Sequence, residues 1–298
     1  MQNTLLTTIN EKLPKLSKGH RKIAEYILAH YDKAAFMTAS RLGNVVGVSE
    51  STVVRFAIEL GFEGYPEMQK SLKEFTSNKL TTVQRMEVMN DQLAGEDVLS
   101  KILNFDIEQI RRTMEEIDKD EFYTTVDTIS RADRIYVIGA RSASVLARFI
   151  VFYFNIMFEN VKIIHTTSTS EMFEQILGIG EKDIMIGISF PRYSKHTIKA
   201  FKYAKDNGAK VIAITDTKAS PLAQYADHLL LAHSDMASFA DSLVAPMSLI
   251  NALITAVGLQ RKEYVSDSFQ RLETIWDKYE VYEKTETNEE SIPHDKIN

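Results

Sequence analysis

The sequence predicts two unlike parts, an all-α helix-turn-helix head followed by a doubly wound α/β fold around a five-stranded parallel sheet. The first 77 residues show apolar positions at helical spacing only. From residue 134 onward, five short aliphatic runs alternate with helical stretches. These runs are continuously apolar, which is typical of parallel strands covered on both faces. We expect a head at 1–77, a linker and connecting helix at 78–120, the α/β domain at 121–284 and a disordered tail at 285–298.

The head is expected to begin with an amphipathic helix from Ser17 to about Ala35, where apolar residues recur every three or four positions. Two short helices follow, the second from Glu50 to Leu60. Tyr65-Pro66 opens another helix, since proline is well tolerated in a first turn. After a polar stretch, a one-sided apolar pattern predicts a long helix at 97–118.

The strands are predicted at 134–139, 161–165, 183–189, 210–215 and 228–232. Parallel strands are joined by right-handed crossovers, so the intervening helices should cover both faces of the sheet. We expect a flavodoxin-like strand order of 2-1-3-4-5. A long apolar helix at about 240–263 and an amphipathic one at roughly 267–284 complete the fold.

The charge is unevenly distributed along the chain. Residues 1–80 contain eight lysines and three arginines against eight acidic residues, which gives a net charge of +3. Because the whole chain carries −6, the remaining residues carry −9. A mildly basic head on an acidic body suits a protein that meets nucleic acid through its first part only. The absence of cysteine excludes disulfides and thiolate chemistry and fits a reducing compartment. With no apolar run long enough for a signal peptide or a membrane span, we expect a cytoplasmic protein without membrane contact.

Residues 38–61 carry the pattern of a helix-turn-helix. Gly43 lets the second helix cross closely, Gly47 suits a turn in which a side chain would clash, and Ser49 is a natural N-cap. The residues expected to lock the two helices together are apolar: Ala39, Leu42, Val46, Val48, Val53 and Phe56.

The outer face of the second helix is predicted to read DNA. Ser51, Thr52 and Arg55 lie opposite the apolar stripe, near the helix start that enters a major groove. Arg55 can bind a guanine edge in bidentate fashion, and Ser49 or Ser51 can hold a phosphate. The flanking cations expected to contact phosphates are Arg41, Lys18, Arg21, Lys22 and Lys70. A three-helix packing unit that binds no nucleic acid is the alternative.

A second site is predicted at the carboxyl ends of the first and third strands, where the strand order reverses and open α/β sheets bind ligands. Loops 139–144 and 189–194 meet there, and both combine hydroxyls and an arginine with a helix start. Such groups form a cradle for an anion, most simply a phosphate. The residues expected to bind it are Gly139, Arg141, Ser142, Ser144, Ser189, Arg192, Tyr193 and Ser194. Alternatively, the serines only cap helices and the arginines pair with surface acids.

The run Ser49-x-x-x-Val53-x-Arg55-Phe56-x-x-x-Leu60-Gly61-Phe62-x-Gly64-Tyr65-x-Glu67 resembles the N-terminal signature of the RpiR family of transcription regulators. That family joins a helix-turn-helix domain to a SIS (sugar isomerase) domain, and the order and lengths agree along nearly the whole chain. The resemblance implies an operator in double-stranded DNA, a sugar-phosphate effector, and a homodimer or tetramer.

Both loops depart from the usual SIS pattern. The first loop commonly reads G-x-G-x-S, but here Arg141 replaces the second glycine and Ala143 the serine. The second commonly reads S-x-S-G-x-T, and here Pro191 and Arg192 replace the middle Ser-Gly. The arginines could replace hydroxyls in binding phosphate, and an acidic sugar without phosphate remains an alternative ligand.

Catalysis has no positive support in the sequence. A sugar isomerase needs an acid and a base a few ångströms apart, and the candidates are His165, Glu171, Glu174, His196 and His233. No spacing suggests a metal or cofactor site. Besides an effector-controlled regulator, two alternatives stay open: a phosphosugar isomerase with an accessory DNA-binding head, and a constitutive regulator that uses its SIS fold only to dimerise.

Overall fold

The computed structural model describes residues 5–77, 81, 83–84, 86, 97–165, 168–235 and 240–282. Most of the predicted linker before residue 97 and the whole predicted tail at 285–298 lie outside these residues. Within them, none of the helices combines the length and apolar character needed to cross a membrane.

The head contains six α-helices and one short 3₁₀ segment in the described residues. The helices are α1 (Leu5–Lys12), α2 (Lys18–Ala29), α3 (Tyr31–Ala34), α4 (Ala39–Val46), α5 (Glu50–Leu60) and α6 (Tyr65–Ser77), and the 3₁₀ segment is Leu13–Lys15. Its core is one cluster of residues between Leu5 and Leu72, with Phe56, Ile23 and Leu42 fully buried.

The α/β part alternates strands and helices as expected. The strands are β1 (Arg134–Gly139), β2 (Val161–Ile164), β3 (Asp183–Ile188), β4 (Lys210–Thr215) and β5 (His228–Leu231). The helices are α7 (Val98–Glu116), α8 (Lys119–Ser130), α9 (Ala143–Met157), α10 (Thr169–Ile176), α11 (Lys195–Asp206), α12 (Val244–Gln260) and α13 (Lys262–Lys278). A 3₁₀ turn, Ala223–Tyr225, precedes β5.

All strand pairs are parallel, and the order β2-β1-β3-β4-β5 is the one predicted. Alternate residues of each strand point to opposite faces. Val137 and Ile186 belong to the core under α8, α9 and α12, whereas Tyr136 and Met185 belong to the core under α10 and α11. Covered faces explain why the strands read as continuous apolar runs.

Several helices differ from expectation, and α1 was not predicted. The helix predicted from Ser17 to Ala35 is broken at His30, whose φ of −137° and ψ of 44° are not helical, so that α2 and α3 are separate. Periodicity misses such a break, because apolar residues on either side keep their spacing. The last helix begins at Lys262, about one turn before the predicted start at 267, and ends at Lys278.

Candidate functional site

The helix-turn-helix has the local geometry that its sequence predicts. Helix α4 ends at Gly47, whose φ of 70° is left-handed and favours glycine. The hydroxyl of Ser49 accepts a hydrogen bond from the Thr52 amide at 3.3 Å and caps α5. A Cβ atom on Gly43 would lie 2.8 Å from the Val48 carbonyl oxygen, so a side chain there would force the two helices apart. Sequence and backbone therefore agree on where α5 starts and how it crosses α4.

The predicted reading face of α5 points away from the head core. Ser51 and Arg55 are exposed and Thr52 is half-buried, whereas Val53 and Phe56 on the opposite face are fully buried. The Arg55 side chain lies along the helix, with Nε donating to the Ser51 carbonyl at 3.2 Å. Reaching a base edge requires only that this exposed side chain swing outward.

The cations expected to flank this face are all exposed: Lys18, Arg21, Lys22, Arg41 and Lys70. Lys18 begins α2 next to α5, since a methyl group at Gly19 would lie 3.4 Å from Cγ2 of Thr52. Exposed positive side chains are what binding to a phosphate backbone requires. Their roles and those of the α5 residues stay predictions.

Replacing Arg55 by alanine is expected to relax selectivity at one operator base pair, with a loss of about 1–3 kcal/mol for the cognate base. Binding isotherms on operators substituted at each position measure this. Lys18→Ala is the contrasting variant, expected to weaken all sequences equally and to lower the salt dependence by about one counterion. Equal losses on every sequence in Arg55→Ala would show that Arg55 contacts phosphate instead.

The two loops of the predicted anion site start side by side. Strands β1 and β3 are neighbours, and Gly139, the last residue of β1, is in register with Ile188, the last of β3. Loops 139–144 and 189–194 therefore leave adjacent strand ends at the edge where such sheets bind ligands. The topology places them where the sequence analysis expects them.

The second loop is held by internal hydrogen bonds. Ser189 is buried and accepts from the Ser194 amide at 3.0 Å, while Ser194 accepts from the Thr197 amide at 3.3 Å and caps α11. The Tyr193 hydroxyl donates to Asp216 at 2.8 Å. The two serines thus shape the start of α11, and each retains its own proton to donate to a ligand. The Arg192 side chain is exposed.

The first loop uses its serines differently. Ser144 donates to the Arg141 carbonyl at 2.6 Å, and Arg141 itself has a φ of 56°, rare for a residue with a side chain. Ser142 makes no side-chain cap on α9, and its hydroxyl points instead to Asp241 at 3.4 Å. SIS loops commonly have a glycine where this chain has Arg141, and glycine adopts such a left-handed φ readily.

Two acidic residues that sequence reasoning missed lie beside these loops. Asp241 faces Ser142, and Asp216 directly follows β4 and accepts from Tyr193 and Thr215. Burial raises the pKa of Asp216, and the hydrogen bond from Tyr193 counteracts that rise. The sequence could have indicated Asp216, because this residue directly follows a predicted strand. Nothing in the local sequence indicated Asp241.

The candidate catalytic residues do not all lie together. His165, Glu171 and Glu174 line a surface depression beyond β2. His233 follows β5, at the opposite edge of the sheet, and its ring bonds to Glu116 of α7 at 2.9 Å. Four strand spacings separate the two histidines, roughly 19 Å. His196 lies in α11, with its Nδ1 atom buried.

A helix-turn-helix head joined to a doubly wound parallel sheet defines the class of two-part transcriptional regulators. Two family models match: the helix-turn-helix domain of the rpiR family at residues 3–79 and the SIS domain at residues 128–256. An uncharacterised HTH-type transcriptional regulator of Clostridium perfringens is 30% identical over 218 residues, which cover 72% of this chain and 77% of the relative. The chain belongs to the RpiR family of HTH-type transcriptional regulators.

Other relatives and solved structures agree with this assignment. The HTH-type transcriptional regulator HexR of Escherichia coli is 26% identical over 90% of this chain and 92% of its own. The sugar isomerase domain of an RpiR transcription factor from Sphaerobacter thermophilus has a TM-score of 0.57 at 23% identity, over 59% of this chain and 98% of its own. NanR of Vibrio vulnificus, solved in complex with ManNAc-6P, has a TM-score of 0.57 at 21% identity, over 93% and 99% of the two chains. At these identities the solved structures support the fold alone.

Proposed function

We propose that this regulator binds a phosphorylated sugar between loops 139–144 and 189–194, and that the bound sugar changes its affinity for an operator read by α5. The observation that carries the proposal is the in-register end of β1 and β3, which brings both loops to one sheet edge. The ligand of the NanR structure, a sugar phosphate, is of the class that this site would take.

The chemistry of the site supports an anion in particular. Hydroxyls of Ser189 and Ser194 lie at the start of α11, where the helix dipole favours negative charge. Arg141 and Arg192 are exposed on the two loops and add guanidinium groups that suit phosphate. The protein acts by binding rather than turnover in this proposal, and it works in the cytoplasm, where sugar phosphates and the chromosome meet.

The regulator is proposed to act as a homodimer, because two operator half-sites need two recognition helices. Helix α7 exposes Leu99, Leu103, Ile107 and Met114, each more than half accessible. The 17-residue helix α13 buries no residue within the single chain, although Phe269 and Ile275 lie on it. Apolar helix faces of this extent indicate a partner, and light scattering of the free protein measures the assembly.

Titration calorimetry tests the effector with glucose 6-phosphate, fructose 6-phosphate, arabinose 5-phosphate and N-acetylmannosamine 6-phosphate. We expect Ser189→Ala and Arg192→Ala each to lower the affinity for the sugar phosphate that binds. The loss in Arg192→Ala should be roughly 10- to 100-fold, since a charge-assisted hydrogen bond contributes about 1.5–3 kcal/mol.

Arg131→Ala is the control for the loss of one positive charge. Arg131 is exposed and precedes β1, so it lies at the amino-terminal ends of the strands, away from the two loops. Binding unchanged in both loop variants would contradict the proposed site. The absence of binding heat with all four compounds would favour a regulator that uses the SIS fold only to dimerise. Conversion of any of them, followed by NMR, would favour the isomerase.

A further inference from the structure

Helix α7 carries a polar stripe on the face next to its exposed apolar residues. Asp106, Gln109, Thr113 and Glu116 recur every three or four residues and so share one face of the helix. Gln109 and Thr113 are only 1% and 7% exposed. Buried polar side chains of this kind need hydrogen-bond partners, and the stripe has them.

The partners all belong to the connection between β5 and α12. Ser242 donates to Asp106 at 2.6 Å, the Asp235 amide to Gln109 at 3.3 Å and the His233 amide to Thr113 at 2.9 Å. Arg112 bonds to the Asp235 carboxylate at 2.7 Å, and the His233 ring to Glu116 at 2.9 Å. We call this set of contacts between the α7 stripe with Arg112 and residues 233, 235 and 242 the α7 clasp.

The same connection contacts the first loop of the proposed effector site and acts electrostatically on a partner of the second. Asp241, one residue before Ser242, accepts a hydrogen bond from the Ser142 hydroxyl at 3.4 Å. Asp235 lies close enough to Asp216 for its charge to contribute to raising the pKa of that carboxyl, after burial as the main cause. Asp216 in turn accepts from Tyr193. A change at the first loop therefore reaches the clasp through one contact, and a change at the second reaches it through Asp216 and the charge of Asp235.

Two clasp residues also act electrostatically on the last helix of the head. Lys73 lies on α6, the last helix of the head, and burial lowers the pKa of its ammonium group. Asp235 opposes that shift and Arg112 adds to it, which places both clasp residues near Lys73. The charges of two clasp residues therefore act on the last helix of the head.

We propose that the α7 clasp transmits effector binding to the DNA-binding head. A phosphate in the crevice competes with Asp241 for Ser142, because that hydroxyl has one proton to donate. It also repels the carboxylates of Asp241 and Asp216. Both effects move the connection that holds α7, and α7 follows the chain that leaves the head. This inference rests on the proposed effector site.

An effector changes DNA affinity only by as much as it prefers one arrangement of the clasp over the other. Couplings between sites in proteins amount to about 5- to 150-fold in affinity. If the clasp is already broken, effector binding can no longer change its arrangement. Breaking it should therefore uncouple the two ligands while each still binds.

The test compares Arg112→Gln with Arg111→Gln. Both remove one positive charge from adjacent positions of α7, but Arg111 pairs with Glu108 and Glu115 on the surface and takes no part in the clasp. Fluorescence anisotropy measures affinity for a DNA duplex selected from a random library by the wild-type protein, with and without the sugar phosphate that gives heat in the titrations above.

In the wild type and Arg111→Gln we expect the sugar phosphate to change DNA affinity by about 5- to 150-fold. In Arg112→Gln the change should fall below about twofold, while calorimetry still detects sugar-phosphate binding. Asp235→Asn should reproduce this loss. A full effector response in Arg112→Gln, or equal losses in both arginine variants, would overturn the role of the clasp.

Hydrogen exchange gives a readout that does not depend on the effector. Faster exchange of amides 98–116 and 65–77 in Arg112→Gln than in Arg111→Gln supports the clasp, and unchanged exchange in 65–77 overturns it. A wild-type chain that binds none of the four sugar phosphates contradicts the proposed function, and this readout still decides about the clasp.

Discussion

Gly139→Ala is expected to abolish effector binding and to destabilise the sheet domain. A Cβ atom at this position would lie 2.5 Å from the carbonyl oxygen and 2.9 Å from the carbonyl carbon of Ala143, in the first turn of α9. Backbone atoms cannot yield as a flexible side chain does, so the turn between β1 and α9 must open. Overpacking of this kind costs about 1–3 kcal/mol, and it moves the loop that carries Arg141 and Ser142.

Urea denaturation measures the stability loss, and calorimetry with the sugar phosphate that binds the wild type measures the site. Gly180→Ala is the matched control, because a Cβ atom there would have no neighbour within 4 Å. We expect Gly180→Ala to stay within about 0.5 kcal/mol of the wild type. Normal affinity in Gly139→Ala would mean that loop 139–144 does not hold the effector.

Phe56→Ala is expected to unfold the head and to remove DNA binding while sugar-phosphate binding persists. Phe56 is fully buried at the centre of the head cluster and makes an edge-on contact with His20 at 5.7 Å between ring centroids. Truncating a buried phenylalanine costs about 3–5 kcal/mol, a large part of the stability of a small helical unit. The head cluster shares no residue with the two clusters that flank the sheet in the described chain.

Anisotropy with the selected duplex and calorimetry with the sugar phosphate follow the two activities in the same preparation. Phe152→Ala, which removes the same atoms from a side chain of α9 that is 65% exposed, should leave both intact. If Phe56→Ala also removed sugar-phosphate binding, the head and the sheet would fold as one unit and the division near residue 77 would be wrong.

Elements with a strong local pattern could be predicted from the sequence to the residue. Helix α5 and strands β1 and β4 have the predicted bounds, because an N-cap serine or a run of aliphatic residues marks them directly. The break at His30 could not be predicted in this way, since one non-helical residue leaves the apolar spacing unchanged.

The candidate site was predictable in part for the same reason. The strand order confirmed by the structure implies that loops 139–144 and 189–194 meet, so the sequence could name them before their geometry was known. The partners of the hydroxyls were not predictable. Ser142 faces Asp241 rather than capping α9, and the two residues are 99 positions apart.

The sequence by itself determined the two kinds of architecture and the strand ends that lie side by side, because these follow from periodicity, caps and the handedness of crossovers. The class of regulator followed from the resemblance of residues 49–67 to the RpiR family. Only the tertiary structure decided which side chains join those parts. The ion pair of Arg112 with Asp235 spans 123 positions, and contacts at such separations depend on how whole elements pack, which local pattern does not encode.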